Sequence, residues 1–196
     1  MEAIKAVYRK HTAKWASSAI AVPKPGTEQL RFTVDLVAVN ALTVPIQSSL
    51  PHLESTLQNC EGSKHFANID FSHGFWQIPL SKEIQEVMSI QTGSGVYSPT
   101  RTLQGRADSA TYFQDETSEK FQGRVDKMLQ WIDDFLLYSK SEQELLEIME
   151  IFFTVCEEAN FRVNAKKSNF YVNEAKFCGE FCQIRENDLT LGTLVH

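Results

Sequence analysis

The sequence predicts an α+β domain whose central sheet carries helices on one face. Three observations support this class: a hairpin signal near the N-terminus, alternating strand-like and helical segments in the middle, and short strand-like runs towards the end. Such an order favours a sheet with helices packed against one side of it. With 196 residues, 42% hydrophobic and 22% charged, the chain is expected to form one domain, or one domain with a small subdomain.

The first predicted element is a β-hairpin. The segment SAIAVPKPGTEQLRFTVDL contains two strand-like runs around the turn residues Pro25 and Gly26. A short helix in SSLPHLESTLQNCEG is expected to end at Gly62. The following run, KHFANIDF, predicts a short strand that ends near Asp70.

Two helices and further strands are predicted after this point. The segment ADSATYFQDETSEKFQGRVD places four residues roughly on one helical stripe: Ala110, Phe113, Thr117 and Phe121. The run MLQWIDDFLLYS predicts two strands that meet at the adjacent aspartates. In SEQELLEIMEIFFTVCEEAN, a capping box from Ser141 to Glu144 opens the clearest helix of the chain. The short runs FRV, SNFYV and AKFCGEFCQI predict strands.

The composition argues, with different strength, against nucleic-acid-binding, zinc-binding, secreted and membrane-spanning classes of protein. A formal charge of −6 argues mildly against nucleic-acid binding, although a local group of basic residues could still provide it: Lys24, Arg31, Lys166 and Lys167. The four cysteines are scattered without the second close pair that a zinc site requires, which indicates thiols in a reducing compartment. The N-terminus lacks an apolar signal region, and no apolar run approaches the roughly 20 residues of a membrane span.

The adjacent residues Asp133 and Asp134 interrupt the apolar run QWIDDFLLYSK. Paired aspartates are common in solvent-exposed turns, and that is one interpretation. The other is a metal site, because Asp70 ends a strand 63 residues before Asp133 and could meet it at one sheet edge. Gathered carboxylates repel one another unless a divalent cation such as Mg²⁺ neutralises them. Since successive strand side chains point to opposite faces, Asp133 is the favoured ligand of the pair.

Four ordered segments resemble the fingers and palm of reverse transcriptases of Ty3/gypsy-type long-terminal-repeat retrotransposons, and more distantly those of retroviruses. The segments are NIDFSHGFWQI, TLQGRADSATYFQ, WIDDFLLYSK and KFCGEF. The resemblance runs from about Trp15 to Ile184. It implies a polymerase palm, a ferredoxin-like antiparallel sheet with helices on one face, plus a fingers β-hairpin. Residues 1–62 would form the N-terminal fingers, and residues 63–196 would form the palm. The palm would carry an inserted part of the fingers at about 81–103 and end in a hairpin like a primer grip.

This resemblance implies an RNA-directed DNA polymerase that adds deoxynucleotides to a primer 3′-OH by two-metal nucleotidyl transfer. The implied catalytic residues are Asp70, Asp133 and Asp134. These three, with the backbone of Phe71, would hold two Mg²⁺ ions, for which Mn²⁺ could substitute. The implied partners are an RNA or DNA template-primer, deoxynucleoside triphosphates, and the thumb and RNase H regions of a polyprotein. The implied location is a cytoplasmic retroelement particle or the nucleus.

The resemblance also assigns residues to nucleotide and primer binding. The nucleotide-binding set would be Lys24, Arg31, Phe71, Phe75, Gln104, Gly105 and Lys167, and the primer grip would be Phe177, Cys178 and Gly179. Lys24 and Arg31 would grip the triphosphate, since guanidinium and ammonium groups suit phosphates. Phe75 would crowd a ribose 2′-OH and favour deoxynucleotides. Gly105 would allow close backbone approach, and Lys167 would donate a proton to pyrophosphate.

Several residues depart from the family pattern. Trp131 stands where Tyr is usual, and Leu103 and Ala110 stand where Pro is usual, so both turns lose rigidity. Arg106 and Asp108 replace apolar or small polar residues. These departures lower the expectation of efficient catalysis without removing an implied metal ligand.

Two alternatives remain open at this stage. The chain stops at LTLGTLVH, before the thumb that such polyproteins carry, so template-primer affinity is expected to be poor. A catalytically inactive or repurposed retroelement fragment that acts as a binding module is therefore the first alternative. An unrelated Mg²⁺ phosphohydrolase is the second, and the lack of an Asp-x-Asp motif near Asp70 disfavours it.

Overall fold

The structure is a computed structural model that describes residues 6–23, 26, 28, 30–44, 46, 58–178 and 180–182. The chain divides into two compact units. The first unit comprises Met1–Gln47 and His73–Phe113, and the second comprises Ser48–Ser72 and Gln114–His196. Each unit is therefore built from two separate stretches of the chain.

The first unit contains a five-stranded sheet with the strand order β1-β6-β5-β2-β3. Its strands are β1 (Val7–Arg9), β2 (Ser17–Pro23), β3 (Leu30–Val34), β5 (Ile90–Thr92) and β6 (Gly95–Pro99). Strands β2 and β3 pair antiparallel, from Ala19 opposite Val34 to Pro23 opposite Leu30, which confirms the predicted hairpin. Gly26 in the connection has a φ of 71°, a conformation that glycine adopts at little cost.

The described part of the first unit also contains two short helices and a small apolar core. Helix α1 spans Val37–Leu42 and helix α2 spans Lys82–Val87. The side chain of Ser81 caps α2 by accepting a hydrogen bond from the backbone N–H of Ile84. The buried core cluster consists of Val34, Leu36, Leu80, Met88, Ile90 and Leu103. Leu103, which stands where the reverse transcriptase pattern usually has proline, is thus a core residue of this unit.

The second unit contains a four-stranded antiparallel sheet with the order β7-β8-β4-β9. Its strands are β4 (His65–Asp70), β7 (Met128–Trp131), β8 (Asp134–Ser139) and β9 (Asn169–Val172), and a separate hairpin is formed by β10 (Ala175–Phe177) and β11 (Glu180–Cys182). The paired register of β4 and β8 runs from His65 opposite Ser139 to Asp70 opposite Asp134. The prediction of two strands that meet at the aspartates is confirmed.

Two longer helices lie wholly or partly in the second unit. Helix α3 spans Ser109–Phe121, and helix α4 spans Glu142–Glu158 and packs against β8 and β4. The buried stripe of α4 contains Leu145, Phe152, Val155 and Cys156. Burial of each large apolar side chain stabilises the fold by about 1.5–3 kcal/mol. The capping prediction is confirmed for Ser141, whose side chain accepts the N–H of Glu144.

Aromatic rings fill the space between α4 and the sheet. The ring of Phe152 is stacked on Phe121 with centroids 4.8 Å apart, and it meets Phe135 edge-on at 5.5 Å. Phe71, directly after β4, lies 4.4 Å from Phe135 and 5.2 Å from Phe161. All of these rings except that of Phe161 are almost completely buried. This cluster anchors the backbone at the end of β4, where Asp70 lies.

Some elements differ from the prediction. The run FRV is not a strand, because only an isolated bridge between Phe71 and Val163 pairs it with the sheet. The short helix predicted before Gly62 falls mostly outside the described residues, and only a 3₁₀ turn over Gln58–Cys60 is described there. The strands β1, β5 and β6 carry no clear alternation of apolar and polar residues, and the sequence did not predict them.

Candidate active site

Two carboxylates lie opposite each other at one edge of the sheet in the second unit. Asp70 ends β4, Asp134 begins β8, and the antiparallel register pairs them directly. Residues directly opposite in such a ladder have Cβ atoms about 4.5–5.5 Å apart. The apolar run of β4 and the turn after β7 together bring these two side chains to the same place.

The turn between β7 and β8 brings Asp133 beside them. Ile132 has a φ of 54°, which is rare for a β-branched residue and reverses the chain within two residues. The backbone carbonyl of Asp133 accepts a hydrogen bond from the N–H of Phe71 at 3.0 Å. Because Asp133 lies in a turn and Asp134 in a strand, the strict alternation of a flat strand does not govern the pair.

A short stretch after α4 holds Asp70 from the other side. The amide of Asp70 donates to the hydroxyl of Ser168 at 3.0 Å, and its carbonyl accepts the N–H of Asn164 at 2.8 Å. The Nζ atom of Lys167 lies 3.2 Å from the Oδ2 atom of Asp70. The Lys167 side chain is 67% exposed, so this ion pair is open to solvent and contributes little stability.

A cavity of about 210 Å³ opens at this edge. Its lining residues are Asn68, Ile69, Asp70, Asp134, Phe135, Lys167, Phe177 and Cys178. The predicted primer-grip residues Phe177 and Cys178 thus face the same space as the carboxylates, whereas Asp133 is not among the lining residues. The Oδ1 atom of Asp70 is buried and has no hydrogen-bond partner within the described part of the chain.

The electrostatics of the edge disfavour negative charge. Although Asp134 is exposed, partial desolvation raises its pKa, and the charges of Asp133 and Asp70 raise it further. Burial likewise raises the pKa of Asp133, with a smaller contribution from Asp70. The ammonium of Lys167 acts in the opposite direction on both groups but does not cancel these effects. The site therefore gains from an additional positive charge.

The donor atoms fit a hard divalent cation. Carboxylate oxygens are the ligands that Mg²⁺ prefers, and the buried Oδ1 of Asp70 receives no hydrogen bond from the residues that the structure describes. Among the described residues, no three His, Cys, Asp or Glu side chains converge as a complete metal site. The opposed carboxylates of Asp70 and Asp134 suit a cation that takes one or two carboxylates and completes its shell with water or substrate phosphate.

The predicted nucleotide-binding residues that the structure describes outside this edge belong to the first unit. Phe75 lies in a 3₁₀ turn over Gly74–Gln77, is half-buried, and contacts the ring of Phe113 edge-on at 5.5 Å. Gln104 is exposed, as is Gly105, whose φ of 105° favours glycine. Their roles in nucleotide binding stay predictions.

The side chain of Asn40, in α1, holds the loop that contains Gly105. It donates to the carbonyl of Gly105 at 3.0 Å and accepts the N–H of Ala107 at 3.0 Å. In the same loop, the guanidinium of Arg106 pairs with the buried carboxylate of Asp108 at 2.7 Å. These contacts fix a loop that lacks the usual prolines.

Three predicted residues cannot be placed. Lys24 and Gly179 lie outside the described residues, and of Arg31 only the backbone in β3 is described. Of the cysteines whose side chains are described, Cys60, Cys156 and Cys178 are thiols and not halves of a disulfide, as the sequence predicts.

Sequence reasoning missed two buried glutamines that contact the turn before Asp133. Gln114 lies in α3, Gln130 lies in β7, and each is 7% exposed. Their side-chain amides bind the two ends of the Ile132 backbone. The only available signal was the presence of amide side chains within apolar segments, which by itself does not identify what they contact.

In the described part of the chain, no helix combines the length and the apolar character needed to cross a membrane.

Comparison with solved structures shows that this chain has a topology like that of reverse transcriptases. The structure of the foamy viral protease–reverse transcriptase dRH in complex with double-stranded DNA matches 93% of this chain and 32% of that chain, with a TM-score of 0.85 and 25% identity. This likeness confirms the predicted α+β class with a palm and fingers.

Relatives with curated names agree with the structural likeness. The chain is 27% identical over 176 residues to the Retrovirus-related Pol polyprotein from transposon 297 of Drosophila melanogaster, covering 87% of this chain and 17% of that polyprotein. It is 29% identical over 158 residues to the Pro-Pol polyprotein of feline foamy virus, covering 81% of this chain and 14% of that polyprotein. The chain thus spans less than a fifth of these two relatives. Residues 22–180 match the family described as reverse transcriptase (RNA-dependent DNA polymerase). With carboxylates at the sheet edge and a family match over most of its length, this chain belongs to the reverse transcriptase family.

Proposed function

We propose that this chain is the fingers and palm portion of an RNA-directed DNA polymerase from a long-terminal-repeat retrotransposon of the Ty3/gypsy type. Its reaction would be the transfer of deoxynucleotides to a primer 3′-OH. The observation that carries this proposal is the opposed pair Asp70 and Asp134 around one cavity, with a buried carboxylate oxygen that has no donor among the described residues. Reverse transcriptases use divalent metal ions, and we assign two Mg²⁺ ions to this edge, with Mn²⁺ as a substitute.

The residues at this sheet edge would have different roles, in binding the metal ions and in contacting phosphate. Asp70, Asp133 and Asp134, with the backbone carbonyl of Phe71, would hold the two ions. When bound, such ions activate the attacking hydroxyl and stabilise the leaving pyrophosphate oxygen. Lys167 pairs with Asp70 at 3.2 Å and is mostly exposed, so its ammonium can turn from the carboxylate to a nearby phosphate. From there it would donate a proton to the leaving pyrophosphate.

The remaining assignments rest on the family resemblance. Lys24 and Arg31 would grip the triphosphate, Gln104 and Gly105 would line the nucleotide pocket, and Phe75 would exclude a ribose 2′-OH. The primer end would contact the hairpin residues Phe177, Cys178 and Gly179. A wall formed by Phe177 and Cys178 beside Asp70 supports this last assignment.

Residues 1–62 would form the N-terminal fingers and residues 63–196 the palm, with an inserted part of the fingers at about 81–103. These bounds differ from those of the two compact units, which divide the chain at Gln47, Ser72 and Phe113. The partners would be an RNA or DNA template-primer, deoxynucleoside triphosphates, and the thumb and RNase H regions of a polyprotein. The foamy viral relative was solved in complex with double-stranded DNA, which supports a nucleic-acid partner. A retroelement particle in the cytoplasm, or the nucleus, would be the location.

Primer extension on a poly-rA template tests the proposal. The chain is incubated with an oligo-dT primer, dTTP and either Mg²⁺ or Mn²⁺, at template-primer concentrations high enough to offset weak binding. We expect extension by the wild type and its loss in Asp133→Asn. A chain-terminating thymidine triphosphate should stop the products after one addition, which a phosphohydrolase would not do.

Asp126→Asn is the matched control. It removes the same charge from an exposed aspartate shortly before β7, away from the cavity, and should leave extension unchanged. Extension that persists in Asp133→Asn would refute the assigned roles. No extension by the wild type under any of these conditions would refute turnover by this chain and leave the binding-module alternative.

A further inference from the structure

We propose that Gln114 and Gln130 are positioning residues that lock the Ile132 turn and thereby fix Asp133 and Asp134. The cation that these carboxylates would hold belongs to the proposed function, and this part of the inference rests on it. The lock itself follows from contacts within the second unit alone.

The Ile132 residue is held at both of its backbone polar groups. Its N–H donates to the Oε1 atom of Gln114 at 2.7 Å. Its carbonyl accepts a hydrogen bond from the Nε2 atom of Gln130 at 3.1 Å. One glutamine from α3 and one from β7 thus grip the residue immediately before Asp133.

The remaining hydrogen-bonding groups of these glutamines are also engaged. The Oε1 atom of Gln130 accepts the hydroxyl of Ser118 at 2.9 Å, and its Nε2 atom also donates to the hydroxyl of Thr117. The Nε2 atom of Gln114 donates to the carbonyl of Gln130 at 3.4 Å. Reversing the Gln114 amide would place its NH₂ group against the Ile132 N–H, donor against donor. The network therefore accepts one orientation of the amide that holds the turn.

Ile132 needs such a lock because its own conformation is unfavourable. A φ of 54° brings the side chain of a β-branched residue close to its own backbone, and residues in this region persist only where their surroundings hold them. Without the two amides, Ile132 would return to negative φ and the direction of Asp133 would change. A glycine here would adopt the turn without strain but would not fix it.

Gln85 provides a matched control, because its replacement shows what the loss of any buried polar contact does to the protein. It is 5% exposed, and its amide donates to the carbonyl of Leu80 at 2.8 Å within the first unit. Replacing Gln85 by Met removes a buried glutamine of equal size that has no contact with the turn. Gln114→Met and Gln85→Met should therefore both lower stability, and only Gln114→Met should act on Ile132 and on the carboxylates.

The experiment combines amide hydrogen exchange with Mn²⁺ binding on the full chain. In Gln114→Met and in Gln130→Met, we expect the exchange of the amides around Ile132 to accelerate about fivefold to tenfold. This factor corresponds to the loss of one hydrogen bond to the Ile132 backbone. Mn²⁺ affinity, measured by electron paramagnetic resonance, should fall about 10- to 100-fold, as for other groups that orient metal ligands. Gln85→Met should change neither quantity.

A double-mutant cycle with Ile132→Gly separates locking from simple packing. Gln114→Met should lower the melting temperature more in the Ile132→Gly background, because glycine keeps the turn and loses the whole hydrogen bond, whereas Ile132 recovers part of the loss by relaxing to negative φ. Equal losses in both backgrounds, or unchanged exchange at Ile132, would overturn the lock. Accelerated exchange with unchanged Mn²⁺ affinity would overturn its link to the carboxylates. If the wild type binds no Mn²⁺, the assigned metal site fails instead, and exchange together with the cycle decides the lock.

Discussion

Asp134→Asn is expected to stabilise the chain without divalent cations and to destabilise it relative to wild type when they are present. The substitution removes one of two carboxylates that face each other across β4 and β8. Like charges directly opposite in a sheet destabilise it by about 0.2–1 kcal/mol. Exposure of Asp134 to solvent and the ammonium of Lys167 weaken the repulsion, so the gain should be about 0.5 kcal/mol. For a chain of this size, that corresponds to a rise in melting temperature of about 1–2 °C.

The effect should depend on pH with a defined sign. The pKa values of Asp133 and Asp134 are raised above the ordinary 3.8, so the folded chain binds protons at these groups at higher pH than the unfolded chain. The contribution of each group to the free energy of unfolding therefore falls as pH rises from 3.8 through the raised pKa of the folded chain. It recovers as pH falls back towards 3.8. The advantage of Asp134→Asn should be largest near neutral pH and should shrink on acidification.

Thermal melts of wild type and Asp134→Asn with and without Mg²⁺ provide the assay. A cation that binds only the folded wild type stabilises it by about 2.7 kcal/mol at one hundred times its dissociation constant, which exceeds the gain of the variant. Wild type should therefore melt below Asp134→Asn without Mg²⁺ and above it once Mg²⁺ is added, so the two melting curves exchange order. Asp126→Asn should show no exchange of order. The reasoning is refuted if Asp134→Asn melts below wild type in the absence of divalent cations.

Three further predictions concern the second unit. Phe152→Ala should lower the free energy of unfolding by about 3–5 kcal/mol in urea denaturation, because its ring is fully buried. Phe153→Ala, at a half-buried position beside it, should cost clearly less, and equal losses would contradict the assigned packing. Burial raises the pKa of the Cys156 thiol to about 12, so iodoacetamide at pH ~8 should label Cys178 in the folded chain and Cys156 only after unfolding, as peptide mass spectrometry would show. Ser141→Ala should remove the cap of α4 and cost about 1 kcal/mol, and an unchanged urea midpoint would argue against that cap.

Local patterns predicted the elements that surround the candidate site. The helical stripe that contains Phe152 has a clear period and a capping box at its start, whereas the apolar alternation before Asp70 is present but short. The strands at Ile90–Thr92 and Gly95–Pro99 did not stand out, because they are short and, besides pairing with each other, they pair with β1 and β2 from distant parts of the sequence. Non-local pairing overrides weak local preference in such strands.

The sequence predicted that Asp70 and the paired aspartates could meet at one sheet edge, but it did not predict which of the pair lines the cavity. The sequence indicated Asp133 as the favoured ligand, on the assumption of a flat strand. In the structure, the strained residue Ile132 turns the chain, and Asp134 is the member of the pair that lines the cavity with Asp70. The interactions of Gln114 with that turn depend on how α3 packs on the sheet, which a one-dimensional pattern does not contain.

The strand order of the second unit has a consequence for synthesis of the chain. Strand β4 lies between β8 and β9, and both of these neighbours follow it in the sequence. At about 5–20 residues per second, the ribosome needs roughly 3–13 s after Asp70 to reach the start of β8. During that time the apolar segment His65–Asp70 has two unpaired edges, a condition that favours aggregation between nascent chains. Conditions that slow elongation between β4 and β8 should therefore lower the yield of soluble protein, whereas chaperones that cover nascent strands should raise it.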